Sequence, residues 1–275
     1  MSRYDWIDGK DFSIDHFFLM DRWLLKMIFK KYETIEVSEL KDLSRVLGAL
    51  LKDNPKLCWY ITKRAPETKK GIARLLEGAY TNLSKEELRK KEIELMEAME
   101  TDIIYTEPHM MQLNCNYIYA WDEKYLNELI NLKDMVVLDL GAGTGRLTFA
   151  AAKHAKRVYA SEPVDMLREY MRDYIKDHHI TNVKVLDGFV ESIPYEGNTF
   201  DAVISGHVVG DNYEQEIQEM TRVIKNSGYI VICNGDDDIV RTKPDQELLN
   251  RGFEVFKHKS SVGGVIYNYR KQVIK

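Results

Sequence analysis

The chain has little of what marks an oxidising or membrane setting. It holds three cysteines in 275 residues, Cys58, Cys115 and Cys233. They are scattered and form no C-x-x-C pair, which argues against a disulfide framework, a zinc ribbon or a dithiol redox site. Reduced core thiols in a cytoplasmic protein are expected instead. No uninterrupted apolar run approaches the ~20 residues that a membrane helix needs. The opening residues Met1-Ser2-Arg3-Tyr4-Asp5-Trp6 lack a signal-peptide apolar core. Neither sign of charge dominates: the net charge of −5 divides into −3 for residues 1–130 and −2 for the remainder. Nucleic-acid binding ordinarily needs a basic excess to replace phosphate counterions, so a nucleic-acid partner is not expected. The clusters Lys63-Arg64, Lys69-Lys70 and Arg89-Lys90-Lys91 lie among acids or in helical patterns and read as solvated helix faces. His178-His179 has no spaced metal-ligating partners, and no metal is expected. There is no internal repeat and no low-complexity segment.

What is present is a globular composition, 44% hydrophobic and 30% charged, long enough for one large or two small domains. The first half reads as helical. Phe17, Met20, Leu24 and Met27 recur at helical spacing, as do Leu40, Leu43, Leu47, Leu50 and Leu51, with Ser38 as the expected N-cap of the second helix. Pro55 ends that pattern. A further helix after Pro66 carries Ile72, Leu75, Leu76 and Ala79. Ser84 and Glu87 form a capping box opening a helix to about Met99. Glu107-Pro108 breaks the chain, and Tyr125, Leu126, Leu129 and Ile130 mark one more helix. All four tryptophans, Trp6, Trp23, Trp59 and Trp121, lie in this half, and most are expected to fill a helical core.

The second half alternates strand and helix. Strands are expected at 136–140, 157–162, 183–186, 200–205 and 229–233, with helices near 166–175 and 214–224 between them. This order implies parallel pairing through right-handed crossovers. Segments 253–256 and 265–269 flank Gly263-Gly264 and are expected to pair as a hairpin.

The most informative stretch is Val136-Val137-Leu138-Asp139-Leu140-Gly141-Ala142-Gly143-Thr144-Gly145-Arg146. An apolar strand ends in an acid and passes through a glycine-rich turn into a helix, where α/β proteins hold nucleotide-like ligands. Side chains at the glycines would block a ligand from backbone N–H groups. A dinucleotide fingerprint, G-x-G-x-x-G, needs glycine at 146, and Arg146 breaks it. Glu162 follows Asp139 by 23 residues, near the spacing at which an acid reaches ribose hydroxyls.

The G-x-G-x-G form after a strand-end acid resembles motif I of the class I S-adenosylmethionine-dependent methyltransferases. The likeness continues in order over residues 130–275. Glu162 is followed by Pro163 and Met166. Residues 191–203 resemble the family's "LPF…(S/T)FD" stretch, and residues 220–229 its "RVLKPGG" turn. The resemblance implies a Rossmann-like, doubly wound seven-stranded α/β sheet with one antiparallel edge, and S-adenosyl-L-methionine as cofactor. The residues it points to are Asp139, Gly141, Ala142, Gly143 and Gly145 of the first turn; Glu162, Pro163 and Met166 after the second strand; Gly188, Phe189 and Val190 after the third; Ser205 at the end of the fourth; and Tyr117 ahead of the first. Phe189 stands where family members often carry an acid for adenine. Adenine would then pack on Phe189 and bond to backbone near Val190, or Asp187 would approach from a shifted loop.

The implied reaction is in-line methyl transfer to a small-molecule acceptor, for which a general base is optional. His207 is a candidate base because its ordinary pKa is near neutrality; the alternative is a hydrogen-bonded structural histidine. Asp211 either orients substrate or caps the next helix. The Asn-Pro-Pro-Tyr type motif of amino-group methylases acting on nucleic acid is absent. Residues 1–115 are expected to be a helical cap that determines the acceptor, and residues 116–275 the cofactor-binding domain. The rival readings are a methyltransferase acting on tRNA or protein, a non-catalytic protein that binds the same cofactor and, more distantly, a nicotinamide dehydrogenase.

Overall fold

A computed structural model of the chain describes residues 6–236, 239–261 and 263–275. Internal contacts divide it into two compact units, residues 1–110 and 111–275.

The first unit is helical: α1 (Arg22–Lys30), α2 (Asp42–Asp53), α3 (Pro55–Arg64), α4 (Lys69–Glu77), α5 (Lys85–Ala98) and α6 (Glu100–Ile103), joined in part by short 3-10 turns. Phe17, Phe29, Leu24, Leu25, Leu47, Leu51, Leu57, Ile61 and Leu75 are fully buried in it. Helix α2 lies against α4 at Gly48, where a Cβ would come within 2.1 Å of the Leu75 carbonyl oxygen. The capping box of α5 is present: Glu87 N–H donates to Ser84 Oγ at 3.2 Å, and Ser84 N–H to Glu87 Oε2 at 2.8 Å.

Several expectations for this unit are corrected. The run from Phe17 to Met27 is not one helix. A 3-10 segment, Ile14–Leu19, ends before Asp21, whose side chain accepts from Leu24 N–H at 3.0 Å and starts α1 afresh. Ser38 lies within the 3-10 turn Val37–Glu39, and the N-cap position of α2 is Lys41. Helix α2 does end just before Pro55, as expected, but a new helix that the sequence pattern does not place begins there. Pro55 is the first residue of α3, where its missing N–H costs nothing, and Asn54 caps that helix by accepting from Leu57 N–H at 3.2 Å. Trp59 is 64% exposed and fills no core.

Helix α7 (Pro108–Asn114) spans the division, and the second unit continues with α8 (Asn116–Tyr119) and α9 (Lys124–Leu129). Then come β1 (Val136–Leu140), α10 (Arg146–Ala152), β2 (Arg157–Ser161), α11 (Asp165–Asp177), β3 (Val183–Leu186), β4 (Phe200–Ser205), α12 (Tyr213–Val223), β5 (Ile224–Ile232), α13 (Gln246–Asn250), β6 (Glu254–Lys259) and β7 (Val265–Gln272). Among the described residues these strands form one seven-stranded sheet, in the order β3-β2-β1-β4-β5-β7-β6. β1 pairs parallel to β2 and β4, with Leu138 opposite Tyr159 and Val203. β7 is antiparallel to both β5 and β6. The reversed strand is therefore second from the edge, and the edge strand β6 runs with the others.

Alternation along β1 sends its neighbouring side chains to opposite faces. Val137 joins Val158, Ala160, Ala202 and Ile204 under Leu147, Ala151 and Met171 of α10 and α11. Leu138 and Leu140 join Val203, Ile230 and Ile232 under Ile217, Met220 and Val223 of α12. Burial on both faces is why these strands read as apolar runs. No helix among the described residues is long and apolar enough to cross a membrane.

Candidate active site

The carboxyl ends of β2, β1 and β4 lie side by side, with Leu140 in register with Ser161 on one flank and Ser205 on the other. The turn after β1 holds Gly141, Gly143 and Gly145 at φ +64°, +58° and +93°. These are left-handed values that cost an L side chain ~1–2 kcal/mol. The N–H groups of Gly141 and Ala142 both donate to the Ser161 carbonyl, at 2.8 and 3.1 Å, and that of Gly145 to the Ala142 carbonyl at 2.9 Å. Gly143 N–H donates to Glu162 Oε2 at 2.8 Å. The expectation that these N–H groups stand open is thus corrected: the protein itself uses these four. A Cβ on Gly143 would meet nothing within 4 Å, whereas one on Gly145 would lie 2.3 Å from the Phe149 ring. Gly143 therefore borders open space and Gly145 borders protein.

Glu162 is 4% exposed. Its other oxygen, Oε1, accepts from Val164 N–H at 2.9 Å, so one carboxylate ties the glycine turn to the start of α11. Pro163 and Met166 are half-buried beside it, and the Glu162 and Pro163 carbonyls accept from Arg168 Nη1 at 2.7 and 2.6 Å. Asp139 is 1% exposed and accepts from Thr148 Oγ1 at 2.5 Å. It is turned inward and fastens β1 to α10. Burial pushes its pKa up to about 7, against the opposing pull of the Thr148 hydrogen bond and the nearby Arg146 charge.

After β3, Gly188 is buried and backs onto Ser161, since a Cβ there would lie 2.2 Å from Ser161 Oγ. Phe189 is 40% exposed, and Val190 is packed against the α12-side core. Asp187 forms an ion pair with Arg168 at 3.7 Å. After β4, His207 adopts φ +60°. Its Nε2 accepts from Gly235 N–H at 2.8 Å, and its ring centroid is 5.0 Å from that of Tyr117 on α8. That nitrogen is not open to take a proton. Asp211 is exposed and does not cap α12. Asn212 does, accepting from Gln215 N–H at 3.4 Å.

Residues 137–228 match the family model described as a methyltransferase domain. Over that span the chain carries a class I S-adenosylmethionine-dependent methyltransferase domain. It is similar to an uncharacterized methyltransferase of Anoxybacillus flavithermus, 28% identical over 42% of this chain and 59% of that relative. It is also similar to a ubiquinone/menaquinone biosynthesis C-methyltransferase of Idiomarina loihiensis, 27% identical over 50% of this chain and 74% of that relative. Among solved structures it is similar to a SAM-dependent methyltransferase from Aquifex aeolicus, with 22% identity, TM-score 0.46, and 55% of this chain covering 89% of that one. The chain spans less than two thirds of the length of the first two curated relatives, 59% and 55%.

The methyltransferase domain fits its family's cofactor on its own geometry. The turn presents an open face at Gly143. The hydroxyls of Thr144 in the turn and of Ser161 and Ser205 at the strand ends are buried without partners among the described residues. Two residues of this region escape sequence reasoning. Glu216 is fully buried and gathers the N–H groups of Gly210, Asp211 and Asn212 at 2.9–3.2 Å, which fixes the rim after β4. Arg146 marks the sequence only as a break in the dinucleotide fingerprint. In the structure its guanidinium lies buried at the ends of β4 and β5, where Nη2 donates to the Cys233 carbonyl at 3.0 Å. Among the described residues, no group of three or more His, Cys, Asp or Glu side chains is arranged to hold a metal ion.

Proposed function

We propose that the chain transfers a methyl group from S-adenosylmethionine to a small-molecule acceptor by in-line displacement. The observation that carries this reading is the left-handed glycine turn, clipped by Glu162 and open above Gly143. The carboxylate of Glu162 would take the ribose hydroxyls, since two oxygens can accept from a vicinal diol. Phe189 and Val190 would flank the adenine, and Tyr117 and Ser205 the methionine end. The bound cofactor supplies an activated methyl on a sulfonium, with a neutral leaving group. The protein's share is to align the acceptor and exclude water. His207, with Nε2 held by Gly235, is assigned to positioning the rim. Asp211, exposed on that rim, is assigned to the acceptor side.

A small acceptor is supported by the names of two relatives. The Idiomarina protein is named for ubiquinone and menaquinone biosynthesis, and a Lactococcus lactis relative, 25% identical over 54% of its length, is named demethylmenaquinone methyltransferase. We assign acceptor choice to the helical unit, because the rim after β4 offers few groups to distinguish acceptors. The test is transfer of labelled methyl from S-adenosylmethionine into separated pools of metabolites, tRNA and protein. Label in the metabolite pool is expected. Label confined to tRNA or protein overturns the acceptor class.

A further inference from the structure

Arg146 opens α10, yet its side chain turns inward. A Cβ on Gly206, just past β4, would lie 2.3 Å from Arg146 Nη2. The missing side chain at 206 is what admits the guanidinium. On another side the guanidinium carbon sits 4.9 Å from the centre of the Trp121 ring. Nη2 is committed to the Cys233 carbonyl, but Nη1 is buried with no partner among the described residues. Burial pulls the pKa of this arginine down, while the Cys233, Asp139 and Tyr117 side chains oppose that pull. Asp139 is the one carboxylate in that set, and its bond runs to Thr148.

A buried donor on a charged group costs free energy until an acceptor meets it. A guanidinium fork already half used by a carbonyl has the geometry to receive a carboxylate oxygen. In S-adenosylmethionine the ribose lies between the adenine and the sulfonium, and the amino-acid arm beyond the sulfonium ends in the carboxylate. If Glu162 at the end of β2 takes the diol, the amino-acid arm runs across β1 toward β4. Two strand spacings, about 10 Å, separate β2 from β4, and Arg146 waits beyond them beside Gly206 and Cys233.

We propose that Arg146 binds the carboxylate of the cofactor's amino-acid arm through Nη1. This rests on the methyltransferase reading above and adds to it a residue that sets cofactor selectivity. Arg146 holds the carboxylate end while Glu162 holds the ribose, so the sulfonium is fixed between two charged anchors. A thioether nucleoside lacking the amino acid would gain nothing from Arg146.

Calorimetry on the full chain tests this with two ligands, S-adenosylhomocysteine and 5′-methylthioadenosine, which shares the adenosine thioether but has no carboxylate. The proteins are the unmodified chain, Arg146→Gln and Arg146→Lys. Arg146→Gln is expected to lose about ten- to a hundredfold in affinity for S-adenosylhomocysteine, the range for a charged hydrogen bond. It should bind 5′-methylthioadenosine within about twofold of the unmodified chain. Arg146→Lys keeps the charge but not the fork, and should recover part of the loss. Equal losses for both ligands, or no loss for S-adenosylhomocysteine, overturn the assignment. If Arg146→Gln does not fold, Arg146→Lys decides: a selective loss for S-adenosylhomocysteine supports the anchor, and a loss shared by both ligands overturns it. If the unmodified chain binds neither ligand, the cofactor reading itself fails, a different result from a failure of Arg146 alone.

Discussion

Two glycines of one turn should respond to different degrees, and for different reasons, to the same added methyl group. Both Gly143 and Gly145 sit at positive φ. Alanine at either place incurs the ~1–2 kcal/mol of the left-handed region, offset by ~0.5–1 kcal/mol for the chain entropy that glycine loses on folding. At Gly143 nothing else enters, because the Cβ would meet no atom within 4 Å. Gly143→Ala should therefore cost at most about 1.5 kcal/mol. Gly143→Val adds the stiffness of a branched Cβ but no clash with backbone. At Gly145 the Cβ would fall 2.3, 2.8 and 2.9 Å from three atoms of the Phe149 ring. That ring is itself packed on Tyr174, with centroids 4.3 Å apart. Overpacking of this kind adds ~1–3 kcal/mol. Thermal melts of the variants, with calorimetric titration of S-adenosylhomocysteine, separate the two effects. Gly145→Ala should show the larger drop in melting temperature. Gly143→Val should stay folded and lose cofactor affinity by about a hundredfold or more. A folded Gly143→Val that binds S-adenosylhomocysteine as the unmodified chain does would refute the claim that this turn faces the ligand.

Glu162→Ala should weaken S-adenosylhomocysteine binding roughly ten- to a hundredfold, since it removes the ribose acceptor and also frees Gly143 N–H; unchanged affinity by calorimetry would remove Glu162 from the site. Asp139 carries a pH signature. Its pKa rises on folding from 3.8 to about 7, so between those values the unfolded chain releases a proton that the folded one keeps, and stability falls as pH rises through that window. Asp139→Asn, which can still accept from Thr148, should flatten that part of the melting-temperature profile; an unaltered profile would show that Asp139 does not titrate as described. Ser227 sits at φ +66°, so Ser227→Gly should leave stability unchanged or raise it by up to about 1 kcal/mol in denaturant unfolding, and a clear loss would mean the serine side chain makes a contact worth more than the strain.

The sheet was legible where strands are short apolar runs between turn signals. β3 and β4 fall where the pattern places them, at 183–186 and 200–205. β5 begins at Ile224, five residues ahead of its apolar run, because Lys225-Asn226-Ser227-Gly228 is polar and reads as a turn. The hairpin of β6 and β7 was visible from its glycines, but not that β7 inserts beside β5. Pro55 shows the limit of punctuation signals, since a proline closes one helix and opens the next with equal ease. In the site, the glycines and Glu162 announced themselves by spacing. Their mutual bond did not, because it joins a side chain to a backbone N–H 19 residues away. Glu216 and Arg146 were hidden for the same reason: they bond to backbone atoms, which carry no signature in a residue pattern.

Calorimetry of the full chain against S-adenosylhomocysteine and NAD tests the central claim most directly. The glycine spacing, the clip from Glu162 to Gly143 and the arginine at position 146 together require that S-adenosylhomocysteine bind at a single site and that NAD not bind. Saturable binding of NAD, or no heat with S-adenosylhomocysteine from a folded chain, would contradict the account.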